Sequence, residues 1–362
     1  MLALRTKNSA RLGALLITCI GLAAAGCSSS SSAPAAGSSA SAGASAAAGG
    51  SATAAAPSAS GSPAASGAAS VAYAASLLYL NEKVIGPAFT KSTGLSYTGR
   101  AGPSSGLAAE IASGLITPNV FESVGGDNIT PLFPKFTSWY IQYAETSIVL
   151  AYNTKSKYAS QFAAISSGKE PVRNLFSLLA QPGFKLGRTN PNTDPQGRAF
   201  IYMLELAQAQ YHLPADTVSK ILGGVPAGSA NSPQIFEEAA LPARLQSGQL
   251  DAASAYQAQA AQLHLHYIVL PPGINLGEGS LARHYHTASI TITGNVIKHG
   301  SPLVVDITAI GKAGQSAADA FIAYVLSPGG LALQRQAGYT LVSPAAVGNT
   351  AAIPASIRNE LG

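Results

Sequence analysis

Gly187-Arg188-Thr189-Asn190-Pro191-Asn192-Thr193-Asp194-Pro195 joins a brief apolar run, Lys185–Gly187, to the strongly apolar pattern of Pro195–Tyr211. Asp followed by Pro is a start signal for a helix. The carboxylate can take an orphan N–H, and Pro is favoured at the first helical position, where no donor is needed. The stretch therefore reads as strand, polar loop, capped helix. Working outward, short apolar runs at Val71–Ala74, Ile148–Tyr152, Ala252–Ala255, Tyr267–Leu270 and Leu303–Ile310 alternate with helical spacing at Leu77–Phe89, Leu107–Ser113, Gln257–Leu263 and Ala317–Leu326. Such alternation predicts an α/β fold with largely parallel sheets.

The N-terminus is of another kind. Arg5, Lys7 and Arg11 precede an apolar run, Leu12 to Ala25, that ends in Ala24-Ala25-Gly26-Cys27. This is the order of a secretory signal, and a Cys directly after the small residues marks a lipoprotein signal, cleaved before Cys27 and acylated there. From Ser28 to Ser70 the chain is almost wholly Ser, Ala, Gly and Pro without a charge. It offers too little apolar surface to offset ordering, and as a flexible coil it would reach roughly 35 Å. The expected organisation is residues 1–27 signal and lipobox, 28–70 linker, 71–148 and 305–362 one lobe, and 149–304 the other.

Charge and cysteine content narrow the function. Losing the signal's three cations takes Lys+Arg from 21 to 18 against 16 acids, so the basic balance of the whole chain nearly vanishes. No basic stripe with interleaved aromatics is present, which argues against a nucleic-acid partner. Cys19 leaves with the signal, so no disulfide is expected outside the cell. No later apolar run reaches the ~20 residues of a membrane span.

Three sites place a small polar residue between a strand and a helix start: Ser76, Ser104-Ser105 and Asp194. Each suits an N-cap. Together they also suit an anion, because each helix start carries free N–H groups and roughly +0.5 charge. Other motifs are weaker. His264-x-His266 and His284-x-His286 lack acidic or Cys companions at ligand spacing. Ser166-x-x-Lys169 lacks the companion strings of penicillin-interacting enzymes. Trp139 and Tyr140 read as packing residues.

The chain resembles the class II periplasmic solute-binding proteins of the molybdate/tungstate-binding family, from about residue 71 to 345. The resemblance rests on Ala74-Ala75-Ser76-Leu77, Gly102–Ile111, Ile148–Tyr158, Gly187–Pro195, Leu250–Tyr256, Tyr267–Gly277 and the closing Leu326–Gly330 and Gly338-Tyr339. It implies a two-lobed fold with a ligand cleft between the lobes. Ser76 and Ser104 or Ser105 would hydrogen-bond the oxyanion, Tyr256 would add a hydroxyl, and Asp194 would stand near the ligand's metal centre or ligate it. It also implies no cofactor, no catalysis, a monomer, and an ABC permease as partner, with the protein held by lipid on the outer face of the cell membrane. Two departures stand out. Ala255 occupies a position that is acidic in some tungstate-type members, and Val120–Asp127 carries Glu122 and Asp127 in an unfamiliar pattern. Phosphate, sulfate or an organic anion thus remain alternative ligands, and a cell-wall lipoprotein or hydrolase on the same fold an alternative class.

Overall fold

The computed structural model describes residues 67–311 and 316–362, so the expected signal, Cys27 and most of the linker lie outside the described residues. In chain order the strands are β1 Ala68–Ala74, β2 Ser96–Gly102, β3 Val120–Val124, β4 Trp139–Thr146, β5 Ile148–Tyr152, β6 Leu186–Gly187, β7 Ala252–Tyr256, β8 His266–Ile268, β9 Ser289–Ile292, β10 Val296–His299, β11 Leu303–Ala309 and β12 Thr340–Gly348. They form a six-stranded sheet, β12-β4-β11-β3-β1-β2, a four-stranded sheet, β6-β7-β5-β8, and the hairpin β9–β10. With helices packed on them, the two larger sheets make the two lobes of an α/β molecule.

The sheets are mixed, not largely parallel. Of nine strand pairings among the described residues, only β1–β2, β1–β3 and β6–β7 are parallel. The reason is the route of the chain. It leaves the first sheet through β4, enters β5 after the single residue Ser147, and returns through β11, which runs antiparallel to both β4 and β3. An apolar run announces burial but carries no direction.

Local chemistry explains most elements. All five residues of β5 are buried, as expected for a continuous apolar strand covered on both faces. The helix Pro195–Tyr211 buries twelve of its 17 residues, so it is an interior helix rather than an amphipathic one. It stops where His212 enters the left-handed region at φ 49°. The expected helix over Leu77–Phe89 is broken into a tight turn at Ala75–Leu77, a π-helical stretch at Leu80–Ile85 and a regular helix at Gly86–Thr93. There Asn81 bonds the buried Glu122 at 2.6 Å, while the adjacent Glu82 accepts from Tyr97 Oη at 3.1 Å. The wider turn lets neighbouring side chains both face inward. β1 begins three residues earlier than its apolar run, taking Ala68–Ser70 from the expected linker, because Ser96–Thr98 supply backbone partners. β12 carries Pro344 and lies at the sheet edge, with its register slipping between Leu341 and Ala345, the place where a missing N–H is tolerated.

Candidate functional site

The loop before the interior helix is tied to itself. Asn190 O accepts from Thr193 N at 3.2 Å and Asp194 N at 2.9 Å, and Asn190 Oδ1 accepts from Asn192 N at 3.0 Å. Asp194 is buried and caps the helix, accepting from Gln196 N at 2.9 Å. Burial pushes its carboxyl up to about 6, opposed by the Gln196 N–H, the Arg198 charge and the Thr189 side chain. Gly197 lets the first turn press on this loop, since a Cβ there would lie 2.5 Å from Thr189 O. Arg198, one turn after the cap, is buried too. Its Nη1 donates to Pro191 O at 3.1 Å, and its Nη2 donates to Ser105 Oγ at 3.0 Å and Asn128 Oδ1 at 3.3 Å on the other lobe.

The serines are not N-caps. Ser76 lies inside the turn Ala75–Leu77, two residues past the cap position at Ala74. It is 2% exposed, and its Oγ has no partner. Ser104 and Ser105 are the first two residues of the helix Ser104–Ser113, behind Pro103 at the cap. Ser104 Oγ accepts from Val124 N at 3.3 Å, which leaves its hydroxyl proton to give. Ser105 Oγ is engaged between Arg198 and Asn128 Oδ1, the latter at 2.5 Å. Tyr256, at the end of β7, is 2% exposed, and its Oη has no partner.

A carboxylate that the sequence reading missed completes the group. Glu238 is buried, with its Oε1 accepting from Gln196 Nε2 at 2.7 Å, and Gln196 Oε1 in turn accepts from Ser254 Oγ at 2.9 Å. Burial first, then the charge of Asp194, holds Glu238 well above the usual carboxylate range, against the Ser76 N–H and the Gln259 and Gln196 side chains. Burial and the charges of Asp194 and Glu238 likewise raise Tyr256, and Arg198 opposes them. Ser76, Asp194, Tyr256, Glu238 and Arg198 therefore share one electrostatic neighbourhood between the lobes. Glu238 follows Glu237 in a segment without a motif, so nothing marked it. Arg198 was legible: four residues after a capping acid, it returns to the same face of the helix.

The remaining candidates fall elsewhere. His284 Nε2 pairs with Gly273 O at 2.7 Å, and the His286 ring stacks on His299 at 4.2 Å rather than meeting His284. The His266 ring lies 5.9 Å from that of Tyr152. Ser166 Oγ donates to Tyr267 O, and both Ser166 and Lys169 are exposed. Trp139 and Tyr140 are buried in β4. Glu122 lies within the first lobe, accepting from Asn81 and Tyr143, whereas Asp127 reaches across to Lys298. Among the described residues, no group of three or more His, Cys, Asp or Glu is placed to hold a metal ion.

The chain is 29% identical over 219 residues to an uncharacterized solute-binding protein of Petrotoga mobilis, covering 59% of this chain and 64% of that one. It is 30% identical over 239 residues to the molybdate/tungstate-binding protein WtpA of Pyrococcus abyssi, covering 60% and 67%. The matched region thus spans about two thirds of each of these relatives. Among solved structures, the Azotobacter vinelandii periplasmic molybdate-binding protein superposes with a TM-score of 0.49 at 21% identity, over 75% of this chain and 98% of that one. Residues 69–340 match the bacterial extracellular solute-binding proteins, and the chain belongs to that family.

Proposed function

We propose that this chain captures molybdate or tungstate outside the cell, as the lipid-anchored binding subunit of an ABC importer, and catalyses no reaction in doing so. One observation carries the proposal. Ser76 Oγ and Tyr256 Oη, at the ends of strands from the two different sheets, are both buried without a partner. A buried hydroxyl left unpaired costs about 1–3 kcal/mol, which a ligand oxygen accepting from it restores. Because the two hydroxyls belong to different lobes, a ligand that satisfies both favours the closed arrangement.

The carboxylates decide the class of anion. A dianion 4 Å from one ionised carboxylate is repelled by about 4 kcal/mol at an effective dielectric near 20. Asp194, ionised above about 6, makes the site hostile to sulfate, whose sulfur takes no further ligand, while Glu238 beside it resists ionising. A molybdenum or tungsten centre can accept a carboxylate oxygen, which turns the repulsion into a bond. Asp194 is the residue proposed for that contact, with Ser76, Ser104 and Tyr256 as donors to the oxygens and Ser105 supporting them through Arg198. The name of the Pyrococcus relative supports the same ligand class. The signal sequence supports acylation at Cys27, and membership of the family supports docking on a membrane permease.

Calorimetric titration of the purified chain with molybdate, tungstate, sulfate and phosphate tests this. Submicromolar binding of molybdate or tungstate with far weaker sulfate and phosphate is the expected result. Silence toward the first two, or a preference for sulfate, overturns the proposal.

A further inference from the structure

The turn Gly126–Asn128 follows β3, and it receives two cations from the opposite lobe. Arg198 Nη2 donates to Asn128 Oδ1 at 3.3 Å in the interior, and Lys298 Nζ pairs with Asp127 Oδ2 at 3.0 Å near the surface. Asn128 is fixed for this task. Its Nδ2 donates to Ser123 Oγ, Val124 O and Gly125 O at 2.9–3.1 Å, so its Oδ1 must face outward to Arg198 and Ser105. The two cations are also fixed relative to each other. Asn192 Oδ1 accepts from Thr293 N at 2.7 Å and Thr293 Oγ1 at 2.8 Å, and Ser289 N donates to Glu205 Oε2 at 2.8 Å, binding the β9–β10 hairpin to the Asn190–Pro195 loop and the interior helix. A third contact across the lobes is a backbone one, Gly106 N to Thr193 O at 3.2 Å.

We propose that this turn is the receptor of a two-pronged latch, with Arg198 and Lys298 as positioning residues that hold the lobes together once they have closed. The inference rests on the oxyanion reading for its ligand, but not for its mechanism. Arg198 is the stronger prong, because its fork is buried and makes three hydrogen bonds at once. Lys298 is the weaker: its side chain and that of Asp127 are 31% and 52% exposed, so salt screens the pair. A latch of this kind acts after encounter. It lengthens residence of the ligand and leaves capture alone.

The experiment compares wild type with Arg198→Lys, Asn128→Ala and Asp127→Asn in the purified chain. Off-rates are read by displacing tungstate with excess molybdate. The gap between the lobes is read by spin labels at Leu115→Cys and Ile297→Cys, both exposed in wild type. Arg198→Lys keeps the charge and loses the fork, so it stays informative if Asn128→Ala perturbs the turn. Losing about one charge-assisted hydrogen bond, Arg198→Lys and Asn128→Ala are expected to raise the off-rate about tenfold with on-rates within about twofold. Asp127→Asn is expected to raise it about twofold at low salt and not at high salt. Without ligand, the label distances are expected to lengthen and broaden in Arg198→Lys. Unchanged distances and off-rate in that variant overturn the latch, as does a loss confined to the on-rate. If wild type ignores tungstate, the oxyanion reading falls, while the ligand-free distances still decide the latch.

Discussion

In the proposed site Ser76 and Asp194 would make opposite demands on a ligand, and single substitutions separate them. Ser76→Ala removes a donor that nothing else in the protein uses, so its folding cost is small and its cost to binding is about 1–3 kcal/mol. Calorimetry on that variant checks this, and unchanged affinity removes Ser76 from the site. Asp194→Asn keeps the cap, because Asn serves that position as well as Asp, so its Tm should hardly move. Tungstate affinity should nevertheless fall at least about a hundredfold, whereas a gain would show a carboxylate that only repels. Glu122 gives a pH signature away from the site. Burial in the first lobe raises its carboxyl to about 7, against hydrogen bonds from Asn81 and Tyr143. The folded state therefore keeps a proton that the unfolded chain has lost above about 4.5. Its contribution to stability is full below the unfolded value and disappears as pH rises through about 7, a span of roughly 3 kcal/mol. Glu122→Gln should flatten that decline in denaturant melts at pH 5 and pH 8, with Asn81 free to turn its unpartnered Oδ1 toward the new amide. An unaltered pH profile would show that Glu122 is ionised throughout.

Elements with a strong local signal were legible, and those defined by pairing were not. Ile148–Tyr152 and Pro195–Tyr211 stand where the residues put them, since a continuous apolar run and an Asp-Pro start are both local facts. β2, with the sequence Ser-Tyr-Thr-Gly-Arg-Ala-Gly, has no apolar alternation and is a strand because the whole of β1 lies beside it. β12 escaped because Pro344 argues against a strand anywhere but an edge. The site divides the same way. Ser76 and Asp194 stood next to element ends and could be proposed from the residues, and Tyr256 from the resemblance alone; Glu238 is brought in by tertiary packing against Gln196 and carried no such signal. Glycine positions test how tightly the elements meet. At Gly197 a Cβ would sit 2.5 Å from Thr189 O and 2.9 Å from Pro191 N, both backbone atoms that the loop cannot easily move. Gly197→Ala should cost about 1–3 kcal/mol in stability and weaken tungstate binding with it. At Gly106 a Cβ would meet nothing closer than 3.7 Å, so Gly106→Ala should be neutral or gain up to about 1 kcal/mol. Equal effects of the two, by thermal melts and titration, would show that the loop yields.

At the scale of the whole molecule, the lobes are joined by two kinds of contact with different consequences. The chain itself crosses at Ser147 and again before β11, where Gly300 N donates to Ala288 O and Leu303 N to Leu276 O, and these crossings persist whatever the lobes do. Arg198 and Lys298 join the lobes through side chains, and Gly106 N through one bond to Thr193 O, so these contacts are free to make and break as the lobes move. A ligand held by both lobes must therefore stabilise both. At about a hundred times its Kd, it adds roughly 2.7 kcal/mol to the folded state, which for a domain of this size raises Tm by roughly 5 °C or slightly more. Trp139, the only tryptophan, is buried in β4 and reports on the first lobe alone, while far-UV dichroism averages over both. If tungstate bridges Ser76 and Tyr256, the two signals should shift upward together and by the same amount. A ligand seated on the second lobe alone would raise the dichroism midpoint and leave the Trp139 transition near its original temperature, and that split would disprove a shared site.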